Sequence, residues 1–223
     1  MNDLPKRVAV LGPTASGKSS VAMAVAQQEG DVELISVDSM QVYRGMDIGT
    51  GKASLAERQG VLHYGLDLRA PDEAFDASDF LALADDVMAR HERVVVAGGT
   101  SLYLQALRRG LVSTPDVDPE LRAELKVVDD LHARLAAVDP VLAERLHPND
   151  RVRLVRGIEV YELSGERLSD LHAAHAAAPD RVIVDGVWLD HDDLDARIDA
   201  RVLAMMEAGY LAEVEALLLS LIH

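Results

Sequence analysis

The chain has 223 residues, 49% of them hydrophobic and 4% aromatic, with no cysteine and a formal net charge of −16 at pH 7. This length holds one substantial domain and a smaller one. The composition excludes disulfides and thiolate metal sites and argues against a general nucleic-acid coat, which needs a basic surface.

Met1-Asn2-Asp3-Leu4-Pro5-Lys6 contains no apolar leader, and no apolar run is long enough to span a bilayer. A cytoplasmic protein without membrane contact is the expectation. Arg7–Leu11 is a short apolar run that reads as a buried strand. It feeds Gly12-Pro13-Thr14-Ala15-Ser16-Gly17-Lys18-Ser19, which fits G-x-x-x-x-G-K-[ST] at every fixed position. Glycines let the backbone curl its N–H groups around an anion. The helix that follows, over Lys18–Gln28, adds the positive end of its dipole. Lys18 supplies a mobile charge, and the Ser19 hydroxyl suits a magnesium ion.

A second strand is expected over Val32–Val37, ending at Asp38-Ser39, and a weak third over Leu62–Leu68. Asp76-Ala77-Ser78-Asp79 caps a helix that runs to about Glu92, with Phe80, Leu83, Ala84, Val87 and Met88 at helical spacing. Arg93–Ala97 reads as a strand, Gly98-Gly99-Thr100 as a turn, and Ser101–Arg109 as a helix. Strands alternating with helices imply an α/β fold with a mostly parallel sheet, in which sites lie at the carboxyl ends of the strands. The glycine loop, Asp38 and Thr100 then share one rim.

The pattern changes after Leu111. One helix is expected over Glu120–Ala137, with breaks at Asp139-Pro140 and at His147–Asp150, then a helix over Arg151–Leu163. Ala173–Ala178 reads as a small-residue linker. Strand character returns over Val182–Leu189, followed by helices over Asp193–Ala208 and from Tyr210 to His223. Residues 113–180 are expected to be a helical insertion in a core made of 1–112 and 181–223. The apolar run Leu217–Ile222 carries no polar tail, which suggests that the natural chain continues.

Several residues suit chemistry. Asp38 is the leading carboxylate, because the strand ending at Ala97 closes in glycines instead of an acid; the alternative is an aspartate that closes a turn. Thr100 either approaches a substrate or caps a helix. Arg151, Arg153 and Arg156 form a basic cluster on one helix, although residues 113–180 carry 14 acids against 8 lysines and arginines. Arg197 and Arg201 stand four apart on a helix, placed for a clamp on pyrophosphate or for surface pairing.

Together these segments resemble one family. Residues 12–19, Val37-Asp38-Ser39-Met40-Gln41-Val42-Tyr43-Arg44-Gly45-Met46-Asp47-Ile48-Gly49-Thr50, Gly98-Gly99-Thr100-Ser101-Leu102-Tyr103, His147-Pro148-Asn149-Asp150 and Arg153–Val160 match, in order, the signatures of bacterial tRNA dimethylallyltransferases. The resemblance implies a P-loop NTPase-like core with a tRNA-binding insertion. It implies transfer of a dimethylallyl group from dimethylallyl diphosphate to the exocyclic amine of the adenosine beside the anticodon. Residues 12–19 would hold the diphosphate, with Mg2+ on Ser19. Asp38 would be the general base, Thr100 would hydrogen-bond near the leaving oxygen, and Arg201 would neutralise growing charge. Asp38, Ser39, Met40, Gln41 and Thr100 would meet the extruded base, and Arg153 and Arg156 the anticodon stem-loop of a tRNA. A monomer is expected. Family members often carry Gln at Val152 and Ala at Gly157; the latter places a glycine in the middle of a helix expected to face RNA. A small-molecule or nucleotide kinase on the same ATP-type loop, and an inactive binding fragment, are the alternatives.

Overall fold

The computed structural model describes residues 5–222. The first four residues and His223, on which the readings of the two chain ends partly rest, lie outside the described residues. In chain order the elements are β1 (Arg7–Leu11), α1 (Lys18–Glu29), β2 (Glu33–Val37), α2 (Leu55–Arg58), β3 (His63–Tyr64), α3 (Ala77–Arg90), β4 (Val94–Gly98), α4 (Ser101–Arg109), α5 (Pro119–Lys126), α6 (Leu131–Val138), α7 (Pro140–Arg145), α8 (Arg151–Ser164), α9 (Leu168–Ala177), β5 (Asp185–Trp188), α10 (Leu194–Glu207) and α11 (Tyr210–Ile222). They fall into two units, the first within residues 1–110 and 180–223 and the second within residues 111–179. None of the described helices is long and apolar enough to cross a membrane.

In the first unit all five strands run parallel in the order β3-β2-β4-β1-β5. The apolar strand sequences suit burial on both faces. Ala9, Ile35, Val37, Val94 and Val96 point to one side, where Phe80, Ala84 and Val87 of α3 and Tyr103 and Leu107 of α4 cover them. Val8, Val10, Leu34 and Val95 point to the other side, against Ala22 and Ala26 of α1. With few aromatics available, a close ring stack counts: Phe80 lies over Tyr103 with centroids 4.6 Å apart and planes at 10°. The register sets Val10 opposite Ala97 and Val37 opposite Gly98, so β1, β2 and β4 end at one level. The third strand is shorter than its sequence suggests, only His63–Tyr64, and the last spans 185–188 with every residue exposed.

The second unit is wholly helical, and it corrects three sequence expectations. The stretch 120–137 is two helices, because Asp130 accepts the Ala133 N–H at 2.9 Å and restarts the helix as α6. Asp139-Pro140 starts α7 instead of only interrupting the chain: Pro stands at the first helical position and the Asp139 carboxylate accepts from Leu142 N. The alanine tract at 173–178 is no linker, since 168–177 form α9, in keeping with the high helix propensity of alanine. Leu125, Leu135, Leu142, Leu154 and Ile158 form the core. Gly157 belongs to that core. A methyl there would stand 2.8 Å from both Leu135 Cδ1 and Leu142 Cδ2, so the glycine, in the middle of the helix as expected, lies on its inward face.

Glu159 and Asp139 are both fully buried in this unit, and Glu159 is the one paired with arginines. Arg122 donates to both its oxygens at 2.9 and 3.0 Å, Arg156 donates to Oε2, and Asp118 N to Oε1. Burial favours the neutral acid, but Arg122, Arg156 and the Asp118 N–H outweigh it and hold the carboxyl below the ordinary value of 4.5. A depressed folded value adds stability above pH 4.5 that is lost as pH falls through the lower folded value. Glu159→Gln should therefore destabilise by about 2 kcal/mol in urea unfolding at pH 7, less than a fully buried pair because both guanidiniums remain partly exposed. Its stability should also vary less with pH across the acidic range than that of the parent.

Candidate functional site

The site is assembled on the level rim of the sheet. The loop after β1 turns through three left-handed residues, Gly12 (φ 146), Ala15 (φ 61) and Gly17 (φ 88), before α1 begins at Lys18. Glycine is required at 12 on two grounds: its φ, and a would-be Cβ only 2.3 Å from the Leu189 carbonyl oxygen. The Ser16 hydroxyl is buried in this loop with no hydrogen-bond partner among the described residues. Lys18 Nζ donates to the Pro13 carbonyl at 2.6 Å. Partial burial pushes the Lys18 ammonium toward a lower pKa; Arg201 adds to that and Asp38 opposes it. Both side chains therefore lie within electrostatic reach of the lysine.

At the end of β4, Gly98 is pressed on β2. A Cβ there would lie 2.2 Å from the Val37 carbonyl oxygen and 2.8 Å from its Cα, whereas Gly99 faces open space. Val37 O accepts the N–H groups of both Gly99 and Thr100, at 3.1 and 3.0 Å. The Thr100 side chain does not cap α4. Its Oγ1 accepts the Ser39 N–H at 3.1 Å, which ties the residue after Asp38 to the β4 turn. Thr100 thus stands at the N-cap position of α4, but its hydroxyl braces the Asp38 turn instead of capping the helix.

Asp38 leaves β2 into a turn. Its Oδ1 accepts from Met40 N at 2.8 Å and from Gln41 N at 3.3 Å. Oδ2 has no hydrogen bond among the described residues, so one oxygen holds the turn and the other is free to act. Gln41 reaches inward, accepting from Ser36 Oγ at 2.8 Å and donating to Thr50 O at 3.2 Å. Met40 is 44% exposed. Helix α10 closes the other side. Arg197 Nε donates to Ala15 O at 2.9 Å, and Arg201 Nη2 reaches Thr50 O at 3.4 Å. Lys18, Asp38, Gln41, Thr50, Arg197 and Arg201 line a cleft of about 1090 Å³ that also takes in Thr14, Ser19 and Gly98, whereas Ser16, Ser39, Met40 and Thr100 are not among its lining residues. Pro13, Thr14, Ala15, Ser16, Gly17, Lys18, Ser19, Asp38, Thr100 and Arg201 are thus assembled on one rim.

Two contributors escape sequence reading. Lys52 is a buried lysine whose ammonium donates to Tyr43 O, Asp47 Oδ1 and Asp67 Oδ1, each at 2.6 Å. Glu213, on α11, accepts from three consecutive backbone N–H groups at 47–49. The only sequence signal for Lys52 is its closeness to the 38–50 run, and Glu213 has none.

In the second unit Arg153 pairs, among the described residues, only with Asp150, and its side chain is 73% exposed. Arg156 instead serves Glu159, Thr114 Oγ1 and Pro115 O. Arg151 Nη2 caps the carbonyls of Lys126 and Val128. No group of three or more His, Cys, Asp or Glu among the described residues is disposed to hold a metal ion. A cation at this rim would depend on Ser19 and on oxygens brought by the ligand.

Residues 41–223 match the family model described as IPP transferase. The chain is 48% identical over 226 residues to tRNA dimethylallyltransferase 1 of Syntrophotalea carbinolica, covering 96% of this chain and 72% of that protein. It is also 48% identical to the tRNA dimethylallyltransferase of Anaeromyxobacter dehalogenans, covering 94% and 74%. Among solved structures it resembles a tRNA isopentenylpyrophosphate transferase from Staphylococcus epidermidis at 33% identity and a TM-score of 0.61, over 97% of this chain and 74% of that one. A eukaryotic dimethylallyltransferase acting on tRNA matches at 28% identity and a TM-score of 0.83, over 96% and 56%.

The two glycines of the β4 turn give a paired test. Gly98→Ala should lower the unfolding free energy by roughly 1–3 kcal/mol, because backbone and not a flexible side chain opposes the new methyl. Gly99→Ala should stay within about 0.5 kcal/mol of the parent in the same urea titration.

Proposed function

The chain belongs to the IPP transferase family, as a tRNA dimethylallyltransferase, and on that premise we propose that the rim residues divide the transfer between an anion cradle and one carboxylate. The cradle is residues 12–19. Its inward N–H groups, the unpartnered Ser16 hydroxyl and Lys18 hold the diphosphate of dimethylallyl diphosphate. The Ser19 hydroxyl would hold Mg2+, which would supply further charge neutralisation. Arg201, close enough to depress the Lys18 pKa, meets charge as it grows on the leaving group.

The acceptor is the exocyclic amine of the adenosine next to the anticodon, extruded from its stack. A C–N bond forms at the allylic carbon, and the bond from that carbon to the diphosphate oxygen breaks with the electron pair leaving on diphosphate. The amine proton passes to Asp38 Oδ2. Ser39, Met40 and Gln41 border the base, with exposed Met40 as an apolar surface for it. Thr100 accepts from Ser39, so its own hydroxyl hydrogen remains to donate toward the leaving oxygen. Exposed Arg153 contacts the anticodon stem. Arg156 supports the same helix from inside its ion pair, where its contribution to tRNA binding is to shape the surface. The reading places the enzyme in the cytoplasm with its tRNA.

The observation that carries this reading is the split carboxylate of Asp38, with one oxygen fixed by the turn and the other without a hydrogen bond among the described residues, in a cleft that Lys18 also lines. Asp38→Asn keeps an acceptor for the Met40 and Gln41 N–H groups but cannot take a proton. With labelled dimethylallyl diphosphate and an anticodon stem-loop, its transfer rate should fall by about 10²–10⁴-fold. Its affinity for pyrophosphate should stay within about threefold of the parent. Transfer at the parent rate by this variant, or ATP turnover by the parent in a parallel tube, would overturn the assignment.

A further inference from the structure

The turn at residues 45–51 lies against one face of α11. Tyr210, Glu213 and Leu217 stand at i, i+3 and i+7, a single helical stripe. A methyl at Gly49 would fall 2.3 Å from Tyr210 Cε2, and one at Gly45 would fall 3.9 Å from Leu217 Cδ2. Between those two apolar contacts, Glu213 Oε2 accepts from Asp47 N at 2.8 Å and from Ile48 N at 2.7 Å, and Oε1 accepts from Gly49 N at 3.0 Å. Three successive main-chain donors on one carboxylate make an anion nest occupied by the protein's own side chain. Partial burial works against ionisation of Glu213, yet those three N–H groups and the nearby Lys52 keep its carboxyl below the usual glutamate range.

What the anchored turn carries is the Thr50 carbonyl. Thr50 is held from within, its Oγ1 donating to Met46 O at 2.6 Å. Its carbonyl oxygen receives Gln41 Nε2 at 3.2 Å and Arg201 Nη2 at 3.4 Å. Gln41 belongs to the Asp38 turn and Arg201 lies by Lys18. One carbonyl thus joins the acceptor side of the rim to the donor side.

We propose that Glu213 is a positioning residue for the transfer: by pinning residues 47–49 it fixes the Thr50 carbonyl, and through it the spacing of Gln41 and Arg201 across the cleft. The proposal rests on the transferase reading above. Misplacement of reacting groups by about 1 Å lowers rates by about 10²-fold. Loss of this anchor should therefore act on the rate at saturation and spare the anion cradle, to which Glu213 makes no hydrogen bond.

The experiment is single-turnover transfer from saturating labelled dimethylallyl diphosphate to an anticodon stem-loop, with pyrophosphate affinity measured by calorimetry. Glu213→Ala should lose about 10²-fold in rate while binding pyrophosphate within about threefold of the parent. Glu213→Gln keeps one acceptor oxygen, so it should recover about tenfold over the alanine variant. Rates at the parent level in Glu213→Ala would overturn the proposal, as would pyrophosphate affinity that falls in step with the rate. A parent protein that transfers no label overturns the transferase reading instead. The anchor is then decided by amide exchange: faster exchange at Asp47, Ile48 and Gly49 in Glu213→Ala supports it, and unchanged exchange refutes it.

Discussion

The contact on which the site depends is the approach of β4 to β2 at Gly98 and Val37. No side chain fits between them: a single added carbon would sit 2.2 Å from a carbonyl oxygen. That closeness lets one carbonyl, Val37 O, take the N–H groups of Gly99 and Thr100 together. It brings the Thr100 hydroxyl to the backbone of Ser39. Because the strands are parallel and in register, β1 ends beside them and delivers the glycine loop to the same level. Packing on both faces of the sheet keeps that level fixed. The chemistry is thus held by main-chain geometry, and side chains are added to it.

A net charge of −16 sits oddly with an RNA substrate until the charges are traced. Much of the acidity is used internally. Glu159 neutralises two arginines, Asp47 and Asp67 hold the ammonium of Lys52, and Glu213 satisfies three backbone donors. Asp76, Asp118, Asp130 and Asp139 each cap a helix. Arg197 near the glycine loop donates to the Ala15 carbonyl, and Arg201 reaches the Thr50 carbonyl. Total charge therefore says little about this protein's ligands, and the local arrangement says a great deal.

The strands and helices of the α/β core were legible because burial on both faces leaves uninterrupted apolar runs, as at Arg7–Leu11 and Arg93–Ala97, and because Asp76 and Asp79 write a capping box into the sequence. The helical unit was less legible. The apolar face from Leu121 to Leu135 continues across the gap between α5 and α6, so periodicity alone could not see the break that Asp130 makes. The alanine tract looks featureless, yet its residues are the best helix formers. In the site, Asp38, Thr100 and the glycine loop stand at strand ends and announce themselves. Glu213 stands more than 160 residues from the backbone it holds, and its sequence neighbourhood is that of any amphipathic helix.

The left-handed turn at Ala15 has one more consequence. Alanine there bears a modest steric penalty that glycine would escape, and it gives up the freedom that glycine would keep. The loop is thereby stiffened in its curled shape, with Arg197 bracing it through the Ala15 carbonyl. On the proposed reading, a loop moulded in advance would take the diphosphate whether or not an isoprenoid is attached. If transfer runs as proposed, diphosphate is released from the same preformed loop that held the donor.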